Sequence, residues 1–240
     1  MFLDFDGTLV DLAERPTLVR VPQHLKDLLV SLQSGLQGAV AIVTGRDIQA
    51  IDLFLAPLLL PVSGVHGLVR RDARGTIHDQ RIDRGLGELL AERLRPFVAA
   101  NDGVLLERKT GSVALHYRAR PEAEAECFAA MQAAIAEVDG VRLMFGKMMV
   151  EAMTGGVSKG SGIAEFLAEP PFAGRVPVFA GDDVTDEDAF RETNARGGLT
   201  IKIGPGETLA QFRFDSIAAF HRFLASLAAR LQQAPNRDRG

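Results

Sequence analysis

The sequence predicts an α/β protein whose parallel-stranded core is interrupted by an inserted α+β module. Three observations carry this. Short apolar runs that stop abruptly at polar residues (Met1–Phe5, Gly38–Val43, Val62–Val65, Val176–Ala180 and Leu199–Ile203) have the continuous hydrophobicity of strands covered on both faces. Segments with apolar residues at helical spacing separate these runs at both ends of the chain. Between Leu68 and Ala152 the style changes to hairpin-like pairs beside two helices, the pattern of an antiparallel α+β unit. The expected division is a core of residues 1–82 and 158–240 and an insertion of residues 83–157, within the usual size of a domain.

Met1–Phe5 is the first strand, so brief that either the strand is short or the sequence starts inside it. Leu25, Leu28, Leu29 and Leu32 recur at helical spacing and predict a helix after Pro22. Gly38–Val43 is the second strand. It ends in Thr44-Gly45-Arg46, after which Asp47 can cap a helix carrying Ile48, Ile51 and Leu55. Val62–Val65 is the third strand, ending at His66-Gly67, and Leu68–His78 reads as a hairpin turning near Ala73-Arg74-Gly75. A helix follows with Leu86, Leu89, Leu90, Leu94 and Phe97 on one face. Val104–Lys109 and Ser112–Arg118 flank Thr110-Gly111 as a second hairpin. Pro121 opens an alanine-rich helix to about Val138, and Val141–Phe145 pairs with Met148–Ala152 around Gly146-Lys147. From Ser158 the alternation returns: helix, strand Val176–Ala180, helix, strand Leu199–Ile203, and a closing helix to about Leu231. Ala234–Gly240 reads as a disordered tail.

Composition narrows the function classes. The 240 residues are 47% hydrophobic and 24% charged, ordinary for a soluble globular protein with a full core. A net charge of −4 argues against a general nucleic-acid or anionic-membrane surface. No apolar run reaches membrane-spanning length, and no leader pattern opens the chain. The lone Cys127 excludes an internal disulfide and a cysteine-rich zinc site, so a cytoplasmic location is expected.

Chemistry concentrates at strand ends. Asp4 and Asp6 stand at the C-terminal end of the first strand, where open α/β sheets bind ligands. Two carboxylates that close repel unless a cation joins them, and Mg²⁺ is the economical candidate. One carboxylate can then attack phosphorus while the other handles the leaving group's proton. A calcium loop fits poorly, because Gly7 comes too early and Thr8-Leu9-Val10 are not oxygen-rich; a solvated turn is the other alternative. Val176–Ala180 ends in Gly181-Asp182-Asp183-Val184-Thr185-Asp186, where Asp182 is placed to be a further metal ligand. Asp183 or Asp186 can hold a metal-bound water or orient a ligand. The competing account is helix-start acid favoured by the macrodipole, which covers Asp186 but not the Gly-Asp-Asp at the strand end. Thr44, with backbone N–H groups beyond it, can hold phosphoryl oxygens, although Thr-Gly-Arg alone is common loop chemistry. Lys159 opens a helix, where a cation opposes the dipole, which hints at an anionic partner.

Together these pieces resemble the haloacid dehalogenase superfamily of aspartate-nucleophile phosphatases, whose four motifs would be Asp4-Phe5-Asp6-Gly7-Thr8, Thr44-Gly45-Arg46, Lys159 and Gly181-Asp182-Asp183…Asp186. The implied fold is a Rossmann-like parallel-sheet core with an inserted α+β cap of the C2 type. Within it, Glu107-Arg108-Lys109, His116-Tyr117-Arg118, Gly146-Lys147…Glu151 and Ser158-Lys159-Gly160 are similar to the trehalose-6-phosphate phosphatase family. That resemblance implies Asp4 as nucleophile and Asp6 as acid/base, with Mg²⁺ on Asp4, the Asp6 carbonyl and Asp182. Thr44 and Lys159 would grip the phosphoryl group. Gly45, Arg46, His66, Glu107, Lys109, Arg118, Lys147 and Glu151 would bind the substrate, a small sugar phosphate. Other capped sugar-phosphate phosphatases, a phosphomutase and a silent binding protein remain alternatives; neither nucleic acid nor membrane is an expected partner, and a synthase partner is open.

Overall fold

The computed structural model describes residues 1–13, 15–79, 84–109, 112–138, 141–154 and 157–233. Its core is one eight-stranded sheet. In chain order the core opens with β1 (Phe2–Leu3), α1 (Gln23–Gly35), β2 (Ala41–Val43), α2 (Ile48–Leu55), β3 (Val62–Gly64), β4 (Val69–Arg71) and β5 (Ile77–Asp79). The inserted part is α3 (Arg84–Ala99), β6 (Leu105–Lys109), β7 (Ser112–His116), α4 (Glu124–Ile135), β8 (Val141–Gly146) and β9 (Met149–Thr154). The chain then returns through α5 (Lys159–Leu167), β10 (Val178–Gly181), α6 (Glu187–Ala195), β11 (Leu199–Ile203), β12 (Phe212–Phe214) and α7 (Ile217–Gln233). The sheet order is β12-β11-β10-β1-β2-β3-β4-β5, parallel from β12 to β3 and antiparallel beyond it.

Alternation along the strands divides two apolar layers. Leu3, Ile42 and Ala180 pack with Leu25, Leu29 and Leu32 of α1, Ile51 of α2, and Phe220 and Leu224 of α7. Phe2, Ala41 and Phe179 face the other way, onto Ile163 and Phe166 of α5 and Phe190 of α6. A sheet clad in helices on both faces leaves its strand ends as the open place for polar side chains.

The second sheet is antiparallel, in the order β6-β7-β9-β8. Its apolar face, with Val113, Leu115, Val150 and Ala152, is covered by Leu86, Leu90 and Leu94 of α3 and by Cys127 and Met131 of α4. Cys127 is thus a packing residue. Its other face is polar. Register sets Glu107, Ala114 and Glu151 directly across from one another, with Lys109 and Ser112 in the adjoining row.

Several expectations shift by a few residues. β2 starts at Ala41 and β10 at Val178, leaving Val176 68% exposed. Val65 leaves the third strand for a short 3₁₀ turn with His66 and Gly67. Pro121–Ala123 is a 3₁₀ turn ahead of α4, which ends at Ile135. Met148 lies in the β8–β9 turn at φ 60°, and Leu89 faces solvent while its helical neighbours pack. β12 was not anticipated. The turn Thr110-Gly111, the junction at 82 and 83, Gly155-Gly156 and the tail Ala234–Gly240 lie outside the described residues.

Candidate active site

β1 continues its pairing one residue past its end, through the Asp4 N–H to the Ala180 carbonyl at 2.9 Å, so Asp4 emerges at the sheet edge. Its carboxylate is buried, and Lys159 Nζ donates to Oδ1 at 2.8 Å. Lys159 is delivered by a local device. Ser158 and Ser161 form a reciprocal capping box, with Ser161 N donating to Ser158 Oγ at 3.2 Å and Ser158 N to Ser161 Oγ at 2.9 Å. That fixes the first turn of α5 and aims the lysine inward, where Asp186 Oδ1 accepts at 2.6 Å. Burial opposes the lysine's charge, but the carboxylates of Asp186 and Asp4 outweigh it and hold its pKa above the ordinary value. Burial, then the Asp186 charge, pushes Asp4 well upward, against the pull of Lys159.

The loop after β10 wraps around Asp186, whose Oδ2 accepts the N–H groups of Asp182 and Asp183 at 2.9 Å each. Asp183 caps the short turn that follows, accepting from Val184 N at 2.8 Å. Asp182 is buried, and Lys147 of the β8–β9 turn donates to its Oδ2. Lys202 of β11, also buried, donates to the Asp182 carbonyl. Gly7, at φ 80°, passes so close that a Cβ there would lie 2.1 Å from Asp182 Oδ2. Asp4, Asp182 and Asp186 each offer an oxygen within 4.8 Å of the others. An all-carboxylate, all-oxygen set of this size fits a hard divalent cation such as Mg²⁺. Asp186 already spends its oxygens on Lys159 and the loop N–H groups, which suits an orienting part.

Thr44 follows β2, buried, with its N–H on the Ser63 carbonyl (2.9 Å) and its Oγ1 accepting from Arg46 N (3.1 Å). Gly45 lies under His66, where a Cβ would come 2.4 Å from Nε2. Arg46, also expected to bind substrate, follows in the same loop and pairs with a carboxylate of the core. Its Nε and Nη2 meet Asp6 Oδ2 and Oδ1 at 2.5 and 2.7 Å. Asp47 occupies the cap position of α2 but makes no capping bond. Burial raises its pKa, and Lys109, Glu107 and Glu151 act on it across the cap side.

On the polar cap face, Glu151 is fully buried and accepts from Ser112 Oγ at 2.6 Å and from Lys109 Nζ at 2.9 Å. Its pKa is depressed, because Lys109 and His66 overcome the opposing effect of burial. His66 reaches from the core, Nε2 lying 3.4 Å from Glu151 Oε2, with φ 55° and a buried Nδ1 that has no hydrogen-bond partner. Burial holds that imidazole's pKa down. Glu107 pairs with His116 at 2.7 Å, the bond that lowers its pKa. Four expected residues therefore gather here, His66, Glu107, Lys109 and Glu151, while Lys147 reaches the core separately at Asp182. Arg118 is exposed and crosses from the inserted part to the core, donating to the Ala13 carbonyl at 2.8 Å. Ser112 and Lys202 were missed; Ser112 opens β7 and Lys202 sits within β11, and only the neighbouring strand reveals what each bonds to.

Residues 2–216 match the family described as trehalose-phosphatase. The chain belongs to the trehalose-phosphatase family. The trehalose-6-phosphate phosphatase of Escherichia coli strain K12 is 36% identical over 238 residues, covering 99% of this chain and 90% of the relative. A crystal structure of a trehalose-6-phosphate phosphatase related protein superposes with TM-score 0.81 at 30% identity, covering 97% of this chain and 98% of that one. The C-terminal domain of trehalose-6-phosphate phosphatase from C. albicans shares the fold at TM-score 0.84 and 22% identity, covering 95% and 91%. This member of the trehalose-phosphatase family is accordingly a phosphatase with a haloacid dehalogenase-like core and an inserted α+β unit. No helix among its described residues is long and apolar enough to cross a membrane.

Proposed function

We propose that the chain hydrolyses trehalose 6-phosphate to trehalose and phosphate in the cytoplasm, with residues 1–82 and 158–240 performing the chemistry and residues 83–157 selecting the sugar. One observation carries the reading: the buried Asp4–Lys159–Asp186 cluster is joined to a charged cap face by Lys147 on Asp182 and His66 on Glu151. A disaccharide is mostly hydroxyls, and a site of charged, planar partners rejects ligands that leave those partners unpaired. In this state Glu107, Lys109 and Glu151 pair with His116, one another and Ser112, bonds that sugar hydroxyls would replace. His66, Arg118 and Lys147 complete the proposed sugar-phosphate set.

Asp4, steadied by Lys159, attacks phosphorus in line. The bond from phosphorus to the sugar oxygen breaks, and that oxygen takes the proton carried by Asp6. Asp6, now ionised, removes a proton from water, which attacks the aspartyl-phosphate and regenerates the Asp4 carboxylate with release of phosphate. Lys159, the Thr44 hydroxyl and the N–H group of Gly45 hold the phosphoryl oxygens. Asp4, the Asp6 carbonyl and Asp182 would hold a magnesium ion, with Asp183 and Asp186 orienting its surroundings, and it would supply charge neutralisation on those oxygens. Brief reaction with phosphorus-labelled trehalose 6-phosphate, followed by an acid quench, should leave label on the wild-type protein. Label retained by Asp4→Asn would contradict the assignment.

A further inference from the structure

Arg46 lies forty residues from Asp6 in sequence and makes the most directional contact in the site. Its guanidinium meets the carboxylate edge to edge, Nε to Oδ2 at 2.5 Å and Nη2 to Oδ1 at 2.7 Å. A planar fork of this kind fixes orientation as well as distance, which a single ammonium cannot do. The fork is itself held. Its central carbon lies 5.0 Å from the Phe54 ring centroid and 5.8 Å from that of Phe5, and the two rings stack at 5.9 Å. The backbone N–H of Arg46 is tied to Thr44 Oγ1, in the loop after β2. The Asp6 side chain is 28% exposed against 14% for Arg46, so the arginine is the more deeply seated partner.

We propose that Arg46 is a positioning residue that acts through Asp6, setting the direction in which its carboxyl meets the departing oxygen. The assignment rests on Asp6 being the acid/base of the proposed function. It explains why aromatic residues flank the site: Phe5, between the two aspartates, contributes a ring to the arginine's seat. It also differs from substrate binding in what it predicts. Proton donation matters most when the leaving oxygen is strongly basic, as an alkoxide is, and least for a stabilised nitrophenolate.

The test compares kcat/KM for two small esters that lack a sugar, ethyl phosphate and p-nitrophenyl phosphate, in Mg²⁺. Arg46→Gln is expected to lower kcat/KM for ethyl phosphate by about 100-fold, the low end for a general acid, and to leave p-nitrophenyl phosphate within about threefold. Arg46→Lys should behave like Arg46→Gln, because a point charge cannot rebuild the fork. Asp6→Asn, run in parallel, should show the same dependence on leaving group. If Asp6→Asn shows it and the Arg46 variants lower both esters equally, or spare both and lose only sugar phosphates, the positioning role is overturned and the acid/base reading stands. If Asp6→Asn shows no such dependence, the reading of Asp6 itself fails and the proposal falls with it. Arg46→Met keeps the aliphatic stem against the two rings and serves if thermal unfolding shows that Arg46→Gln is misfolded.

Discussion

Glu151 allows stability and specificity to be separated in one experiment. Its carboxylate is fully buried between Lys109 Nζ and Ser112 Oγ, and the Lys109 side chain is itself only 10% exposed. Glu151→Leu keeps the volume apolar but takes from the Lys109 ammonium its hydrogen-bonded carboxylate, leaving only the charges of Glu107 and Asp47 near it, and strands the Ser112 hydroxyl. Neutralising a lysine with the ordinary pKa of 10.5 at pH 7 costs about 5 kcal/mol, an upper limit on what that group can lose. Orphaned buried charges cost about 3–5 kcal/mol, so a loss of about 4 kcal/mol is expected in urea unfolding. Adding Lys109→Met removes the orphan, and the double variant should recover to within about 1 kcal/mol of wild type. Both variants should keep p-nitrophenyl phosphate hydrolysis and lose most activity on trehalose 6-phosphate. A double variant as unstable as the two single losses added together would refute the buried-pair argument. Equal loss on both substrates would refute the specificity argument.

Two further outcomes follow from single positions. Gly7→Ala places a methyl group against Asp182 at a φ of 80°, so it should cost about 1–2 kcal/mol from the backbone alone and weaken Mn²⁺ binding, read by titration; unchanged affinity would mean that Asp182 is no ligand. Tyr117, buried and donating to Glu124 Oε1 at 2.9 Å, has its pKa pushed up to about 12 by burial and then by that bond. A folded-state value above the unfolded one gives stability that is complete below pH 10 and lost as pH rises through 12. Tyr117→Phe should therefore cost about 1 kcal/mol at pH 8 and flatten the alkaline decline, both read in urea unfolding.

The parts of this protein that were legible in its sequence are those whose physical cause is local. Burial on both faces writes itself as an apolar run, so β1, β2, β10 and β11 were visible, the first and third of them with acidic ends. The misplaced positive charge of Lys159 at a helix start was legible as an electrostatic mismatch, and Asp4 and Asp186 resolve it. What stayed hidden depends on partners distant in the chain. β12 is a three-residue edge strand with Phe212 exposed, so it carries no apolar signature. Lys202 looks like the polar member of an ordinary strand until β10 is laid beside it. Asp47 was a reasonable cap by residue type, yet its side chain goes unused by the helix next to three charged cap residues. The pairing of Arg46 with Asp6 stayed hidden because it emerges only when β1 and β2 lie side by side.

Phosphate release from trehalose 6-phosphate, set against sucrose phosphate, mannosylglycerate phosphate and glucose 6-phosphate, with Mg²⁺ and again with a chelator, bears most directly on the whole account. The expected result is a kcat/KM for trehalose 6-phosphate at least about 100-fold above the others, abolished by the chelator. Comparable rates across the panel, isomerised sugar phosphate without released phosphate, or full activity in the chelator would contradict it.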